Sequence, residues 1–341
     1  MAGTLRRVAS GAMKLLAVCQ ADEPGGAELG LLRLLRRLSS RGWDVTLTTP
    51  SGGSLARSGY PWMSLDVGGL NAGEGARAVA SWPRTRLLGR RHDVIYLNGT
   101  VAGRLLPALR GMRTVLHVHD VVSRVPRHWQ GASVVLADSE AVADRLEGLD
   151  PHVVYCPVEL DPPDVAPPWV VGDGPVVGFV GRIEPRKGVM DLVAAAPAIR
   201  ASGARVVIVG GDPYEPDSRY LAQVRASADV EQAGWIDDAA GLMRSLDVLV
   251  APSHQEPFGT VLAEAMAVGT PVVATRVGGM AEVVEDGVTG RLVEPGDPEA
   301  LAAAVREVLS RKLEMGEAAR AYAQRFGADA YADRVEELIR P

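Results

Sequence analysis

The sequence predicts an α/β protein of two facing doubly wound parallel-sheet, Rossmann-like domains with a cleft between them. Three observations point there. Short strand-like runs rich in Val, Leu, Ala and Ile alternate with amphipathic helical stretches along nearly all of the 341 residues, the pattern of successive βα units. That length exceeds one ordinary core and suits two domains of roughly 150 to 180 residues each. Between the halves, VELDPPDVAPPWVVGDGP at residues 158–175 breaks the alternation with clustered prolines and no helical period, as a linker does. The expected division is an N-terminal domain over residues 1–157, the linker over 158–175, a C-terminal domain over 176–325, and a closing helix over 326–341 that packs back on the first domain.

In the first half the strand candidates are KLLAVCQ, DVTLTTP, DVIYLNG, RTVLHVHD, ASVVLADS and VVYCP. The stretch ELGLLRLLRRLSSRG has a helical period, with Arg33, Arg36, Arg37 and Arg41 expected on its water face. In the second half VVGFVGR, RVVIVGGD, VEQAGWID, DVLVAPS, PVVATR and GRLVEP alternate with helices such as RKGVMDLVAAAPAIRA, and helical segments close the chain from Pro298 to Arg340. Sheets of this kind bind ligands outside the carboxyl ends of their strands. The loops that follow the strands are therefore where chemistry is expected.

At 47% apolar and 23% charged residues the chain reads as a soluble globular protein, not a disordered one. Cys19 and Cys156 lie far apart and outside any C-x-x-C pattern, which argues against a zinc site or a disulfide framework and for a reduced, cytoplasmic setting. The opening MAGTLRRVASGAMKLLAVCQ has arginines ahead of an apolar run, but KLLAVC is too short for a signal peptide and lacks a cleavage site. It reads as the first strand, and no stretch approaches the ~20 apolar residues that span a bilayer. The net charge of −6 is uneven: residues 1–160 carry 19 Lys and Arg against 14 Asp and Glu, the remainder 17 against 28. A positive first half favours an acidic substrate or the inner face of an anionic membrane. Within it Trp82, Leu87 and Leu88 with Arg84, Arg86, Arg90 and Arg91 make a basic amphipathic surface, either a solvated helix face or a weak peripheral membrane contact. No nucleic-acid partner is expected.

Four loops hold candidate chemistry. EPGGAE, Glu23 to Glu28, follows the first strand and opens the first helix. There Gly25 and Gly26 either bring backbone N–H groups close to an anion or serve a tight turn. G-x-G-x-x-G and G-x-x-x-x-G-K-[ST] are absent, which argues against a dinucleotide-binding dehydrogenase and a P-loop. HVHD, His117 to Asp120, ends a strand. Alternation puts both histidines on one side, so His119, nearer the strand end, is the functional candidate and His117 the buried one behind it. With neither H-x-x-x-H nor D-x-D in the chain, no metal ion is expected. GFVGRIEPRKG, Gly178 to Gly188, places Arg182 and Lys187 where they can bracket a diphosphate. In HQEPFGTVLAEAMAVGTPVV, His254 to Val273, Pro257 keeps Glu256 extended on the loop. Gly259 then starts a helix whose first N–H groups, on Gly259, Thr260 and Val261, point at any bound anion. Glu264 lies in that helix among Val261, Leu262, Ala263, Ala265 and Met266, where an acid needs donors; ribose hydroxyls or a nearby arginine would serve.

Together the GGAE loop, the HD strand end, GRIEPRKG and SHQEPFGTVLAEAMAVGTPVVATRVGGMAEVVEDGVTGRLVEPGD resemble glycosyltransferase family 4, over about residues 14 to 335. The resemblance implies a GT-B fold and a retaining, metal-independent hexosyltransferase. It implies no cofactor, only a UDP-, GDP- or dTDP-linked sugar as co-substrate, held mainly by the second domain. In that reading Arg182 and Lys187 neutralise the diphosphate, Glu264 accepts the ribose hydroxyls and Glu256 holds hydroxyls of the transferred sugar. Backbone N–H groups of Phe258, Gly259, Thr260, Val261 and Leu262 face sugar and phosphate. His119 contacts the sugar near its reacting face, Gly25 and Gly26 approach phosphates or acceptor, and the base sits at the strand end Gly234 to Ile236. Many relatives have an asparagine-glycine turn before the linker, where this chain reads CPVELDPP. The acceptor, lipid-linked, cell-wall or a secondary metabolite, is chosen by first-domain loops and not by motifs. Two other functions share this architecture: a nucleotide-sugar 2-epimerase and a non-catalytic nucleotide-sugar-binding subunit.

Overall fold

A computed structural model describes residues 11–69, 73–169, 172, 174–212 and 218–340. The expectations that touch residues 1–10 and 70–72 lie outside the described residues. The chain divides into two units, Met1–Pro157 with Ala328–Pro341, and Val158–Gly327.

In the first unit, β1 (Lys14–Cys19), β2 (Asp44–Thr49), β3 (Trp62–Ser64), β4 (Val94–Asn98), β5 (Thr114–Val118), β6 (Val134–Ala137) and β7 (Pro151–Val153) form one sheet in the order β3-β2-β1-β4-β5-β6-β7. Every pairing is parallel. Helices α1 (Gly26–Ser40), α2 (Gly75–Gly89) and α3 (Glu140–Ala143) connect the strands. KLLAVC is an unbroken apolar run because helices cover both faces of its strand. Leu15, Ala17 and Cys19 pack under Leu31, Leu34, Leu35 and Leu38 of α1, while Leu16 and Val18 face Leu97, Leu105 and Val118 on the other side.

Four details differ from expectation. The strand expected over VVYCP lies two residues earlier, at Pro151–Val153, where an edge strand tolerates proline as its first residue. The three-residue β3 was not anticipated, being too short to show a period. Arg33 is not on the water face of α1: it is 7% exposed, and its guanidinium donates to the Pro157 carbonyl at 2.7 Å, the partner a buried cation requires. On α2, Leu88 is buried and Trp82 packs inward with its indole N–H on the Arg104 carbonyl, so the outward apolar residues are Val79 and Leu87.

The second unit contains β8 (Val176–Arg182), β9 (Arg205–Gly211), β10 (Glu231–Gly234), β11 (Val248–Ala251), β12 (Val272–Thr275) and β13 (Gly290–Val293), in the order β10-β9-β8-β11-β12-β13. These pairings are parallel too. Its helices are α4 (Val189–Arg200), α5 (Arg219–Arg225), α6 (Thr260–Ala267), α7 (Met280–Val283), α8 (Pro298–Ser310) and α9 (Lys312–Tyr322). The proline-rich stretch is bound to this unit. Arg244 donates to the Pro162 carbonyl at 2.8 Å and to the Asp161 and Asp164 carboxylates at 2.7 and 2.8 Å.

The last helix, α10 (Ala328–Ile339), belongs to the first unit. Tyr331, Ala332, Val335 and Ile339 enter the same core as the α1 leucines. Glu336, 8% exposed, accepts from Trp43 Nε1 and from Arg41, each at 2.8 Å, and Arg113 donates to the carbonyls of Leu338 and Ile339. No helix among the described residues is long and apolar enough to cross a membrane.

Candidate functional site

In each sheet the strand order reverses beside the first strand of the unit, between β1 and β4 and between β8 and β11. At such a reversal the connecting loops diverge and leave a crevice at the carboxyl edge. In the second unit the loops after β8, β11 and β12 meet there. Arg182, the last residue of β8, and Arg186 beyond it both approach Glu184 Oε1, at 3.3 and 2.5 Å. The 3₁₀ turn Pro185–Lys187 ends on Gly188 at φ +61°, where a Cβ would lie 1.9 Å from the Pro252 carbonyl oxygen; only glycine lets the two loops close this tightly. The Arg186 carbonyl accepts the N–H of His254 at 2.8 Å, which fixes the loop after β11. From the third loop, Gly279 donates to the Glu256 carbonyl at 3.2 Å, and Gly278, at φ +49°, leaves no room for a Cβ beside that oxygen.

The result is a Glu256 held by backbone on two sides, with its carboxylate on the Lys187 ammonium. The two side chains are 12% and 18% exposed. Gly259 stands ahead of α6 at φ +96°, and Phe258 is turned into the core, edge-on to Phe326 at 5.5 Å. Of the amides proposed for an anion, that of Leu262 is already used: it donates to the Gly259 carbonyl at 2.9 Å. Glu264 is half-buried within α6 and has a partner in the protein. Ile236 follows β10, next to a half-exposed Trp235 whose indole N–H is held by Asp237 at 2.8 Å.

In the first unit the GG turn after β1 is closed by Glu28, which accepts the Gly25 N–H at 3.0 Å. Gly25 therefore has no N–H to offer an anion, while Gly26 has open space where a Cβ would stand. Past the end of β5, His119 Nδ1 is 2.8 Å from Asp138 Oδ2 and its Nε2 is 2.9 Å from Asn98 Oδ1. His117, 2% exposed, lies behind it, its Nδ1 2.6 Å from the Tyr96 hydroxyl. Its Nε2 is 2.7 Å from Asp138 Oδ1, close but misaligned for a hydrogen bond. Burial, helped by the neighbouring His119, lowers the His117 pKa to about 4. Burial works against a charged His119 as well, but the Asp138 carboxylate outweighs it and the pKa is raised. Asp138, against its own burial, is held ionised below the usual carboxylate range by the two histidines.

His117, His119 and Asp138 offer ligand atoms within 4.8 Å of one another, the spacing a cation needs. Both nitrogens of His119 face oxygen atoms, those of Asp138 and Asn98. Sequence reasoning picked His119 but missed Asp138, Asn98 and Glu28. Asp138 follows the strand run ASVVLADS at the same carboxyl edge, so the rule that selected His119 would have found it.

Solved structures with this fold identify the class. HepE of Anabaena, in complex with UDP-glucose, superposes with a TM-score of 0.80 and 26% identity over 95% of this chain and 98% of that one. WaaG, a glycosyltransferase involved in lipopolysaccharide biosynthesis, shares the fold at a TM-score of 0.70 and 18% identity over 95% and 99%. The pair of parallel-sheet domains is that of the GT-B glycosyltransferases. Residues 24–162 match the domain family described as Glycosyltransferase Family 4 and residues 174–311 that described as Glycosyl transferases group 1. The chain belongs to this glycosyltransferase family. It is similar to the lipopolysaccharide core biosynthesis glycosyltransferase LpsE of Rhizobium meliloti (strain 1021), 27% identical over 84% of this chain and 86% of that protein. Its similarity to the D-inositol 3-phosphate glycosyltransferase of Segniliparus rotundus, 40% identical, covers 46% of this chain and 38% of that protein.

Proposed function

We propose that this glycosyltransferase is a retaining hexosyltransferase that takes its sugar from a nucleoside-diphosphate sugar and needs no divalent metal. The observation that carries the proposal is the joining of Lys187 to Glu256 beside the N-terminus of α6, with Arg182 on the same loop as Lys187. Cleaving the bond from anomeric carbon to diphosphate builds negative charge on the leaving oxygen and positive charge on the sugar. Two cations and a helix N-terminus stabilise the first, and a carboxylate that grips sugar hydroxyls holds the second in register. The cations take the place a metal would have on the phosphates. Attack by the acceptor from the leaving-group side retains configuration without a protein nucleophile. The complex of HepE with UDP-glucose supports a uridine nucleotide as the first to test. His119 in the first unit is the group assigned to the transferred sugar, with the acceptor bound by loops of that unit.

The acceptor is proposed to be lipid-linked at an anionic inner membrane face. On α2, Val79 and Leu87 are 52% and 53% exposed, and Arg84, Arg90 and Arg91 are exposed on the same stretch, the composition that rests on anionic lipid.

A thermal-shift panel of UDP, GDP, ADP and dTDP with their sugars in EDTA tests the donor, because a ligand of the native state raises the melting point. One nucleotide series should stabilise the protein, and its sugar should release nucleoside diphosphate without added metal. No stabilisation by any series would refute the donor assignment, and activity only with a divalent ion would refute metal independence. An epimerised sugar formed from donor alone would instead identify the 2-epimerase.

A further inference from the structure

We propose that Tyr331, Tyr96 and His117 are positioning residues for His119, acting through Asp138, so that helix α10 sets the charge and ring orientation of the histidine at the first unit's carboxyl edge. The proposal rests on the reading of His119 given above. The groups lie in one chain of contacts. Tyr331 of α10 shares a buried cluster with Tyr96 in the middle of β4 and pairs with it, Tyr96 lies 2.6 Å from His117 Nδ1, His117 Nε2 2.7 Å from Asp138 Oδ1, and Asp138 Oδ2 2.8 Å from His119 Nδ1.

Their protons can be ordered by elimination. Burial keeps both tyrosines protonated at neutral pH. The ionised Asp138 that faces His117 Nε2 has no proton to give, so Tyr96 gives its own to His117 Nδ1 and is left to accept from Tyr331. Nδ1 is then an acceptor, and the ring proton of His117 must sit on Nε2, facing Asp138. His117 stays neutral, so His119 is the cation that the Asp138 carboxylate stabilises. Tyr96, His117 and Asp138 are 0%, 2% and 3% exposed, so water does not scramble this order. The other groups facing His119 are Glu28 from α1 and Asp120 beside it, with Asn98 on its far nitrogen. Those facing His117 are Tyr96, His119 and Asp138.

The Tyr96 O–H occupies the lone pair on which His117 would take a second proton. Without it His117 becomes easier to charge, competes for Asp138 and weakens the hold on the His119 proton. Tyr331, by donating to Tyr96, makes it the better donor. Removing either hydroxyl should act in the same direction, the nearer one more strongly.

The test uses the full chain labelled with 15N-histidine, its signals assigned through His119→Gln and His117→Gln. The His119 titration midpoint should fall by about one pH unit or more in Asp138→Asn, by less in Tyr96→Phe, and by less again in Tyr331→Phe; in Tyr96→Phe the His117 midpoint should rise. Each phenylalanine keeps its ring in the core, so these two variants decide the matter if Asp138→Asn does not fold. In the wild type, transfer that needs protonated His119 is lost as pH rises through its midpoint, and in the variants this alkaline limb should move to lower pH. A His119 midpoint unmoved in both phenylalanine variants overturns the proposal. A midpoint that moves while the limb of the rate profile stays put supports the relay and refutes the part given to His119 in the reaction.

Discussion

Replacing Glu256 with glutamine separates the two duties proposed for the second unit's site. The substitution keeps the shape of the side chain and removes its charge. Before donor binds, the Lys187 ammonium is paired with Glu256, so the wild-type protein must loosen that pair to present Lys187 to a diphosphate. With side chains 12% and 18% exposed, the pair is more sheltered than the surface pairs worth about 0.2–1 kcal/mol and less than the buried ones whose disruption costs about 3–5. A net value of about 1–2 kcal/mol follows, or ~5- to 30-fold in an equilibrium constant. Glu256→Gln should therefore bind free nucleoside diphosphate more tightly than wild type by up to that factor, most clearly at low salt. Transfer should fall at least ~100-fold, because the amide grips the hydroxyls of a positively charged sugar more weakly. Calorimetric titration of the diphosphate at two salt concentrations, with release of nucleoside diphosphate as the rate assay, measures both. A parallel loss of diphosphate affinity and turnover would refute the division of labour between Lys187 and Glu256.

Gly278→Ala puts a methyl group 2.0 Å from the Glu256 carbonyl oxygen at a φ of +49°; it should displace the Glu256 loop and abolish transfer while costing about 1–3 kcal/mol of stability in denaturant titration. Glu336→Gln tests the seat of α10. Burial disfavours the charge of Glu336, but its hydrogen bonds to Arg41, Trp43 and Arg340 prevail and lower its pKa, so its stabilising effect is present above the unfolded value of about 4.3 and is lost as pH falls through the folded one. The variant should lose about 1–2 kcal/mol at pH 7, a drop in Tm of about 3–8 °C, and the difference from wild type should vanish in acid. Arg84→Glu with Arg90→Glu should abolish sedimentation with vesicles containing anionic lipid and leave activity on a soluble acceptor analogue intact; retained sedimentation would exclude α2 as the membrane face.

The sequence made the sheets legible because their central strands are covered on both faces, which forces unbroken apolar runs such as KLLAVC and DVLVA. It made the second unit's loops legible for a related reason. Glu256 and Gly259 each answer a local geometric demand between a strand end and the helix that follows it, whereas the tight approaches at Gly188 and Gly278 appear only in the fold. Edge features were weaker. WMS at Trp62 is too short to carry a period, and Pro151 opens a strand where proline usually signals none. Charge placement on helices was the least secure. Arg33 shares its spacing with Arg37, yet one is buried on a carbonyl and the other bonds Asp329, and nothing on the helix itself announces Pro157.

The histidine network was hidden for a different reason. Its members are contributed by β4, β5, the loop after β6 and a helix that follows the entire second unit, so the short windows that hold two of them, YLN and HVHD, show neither Asp138 nor Tyr331 beside them. Tyr331 illustrates the point: locally it is one more apolar position on an amphipathic helix, and its hydroxyl becomes meaningful only once α10 is seated against β4. That seating explains why the chain returns to the first unit at all. A helix added only for burial would need apolar side chains alone. Here Glu336 accepts the Trp43 N–H, Arg113 donates to the last carbonyls, and Tyr331 is held in the same buried cluster as Tyr96. Polar anchors of this kind fix the depth and rotation of a helix more narrowly than greasy contact does, and a relay whose protons must point one way requires that narrowness.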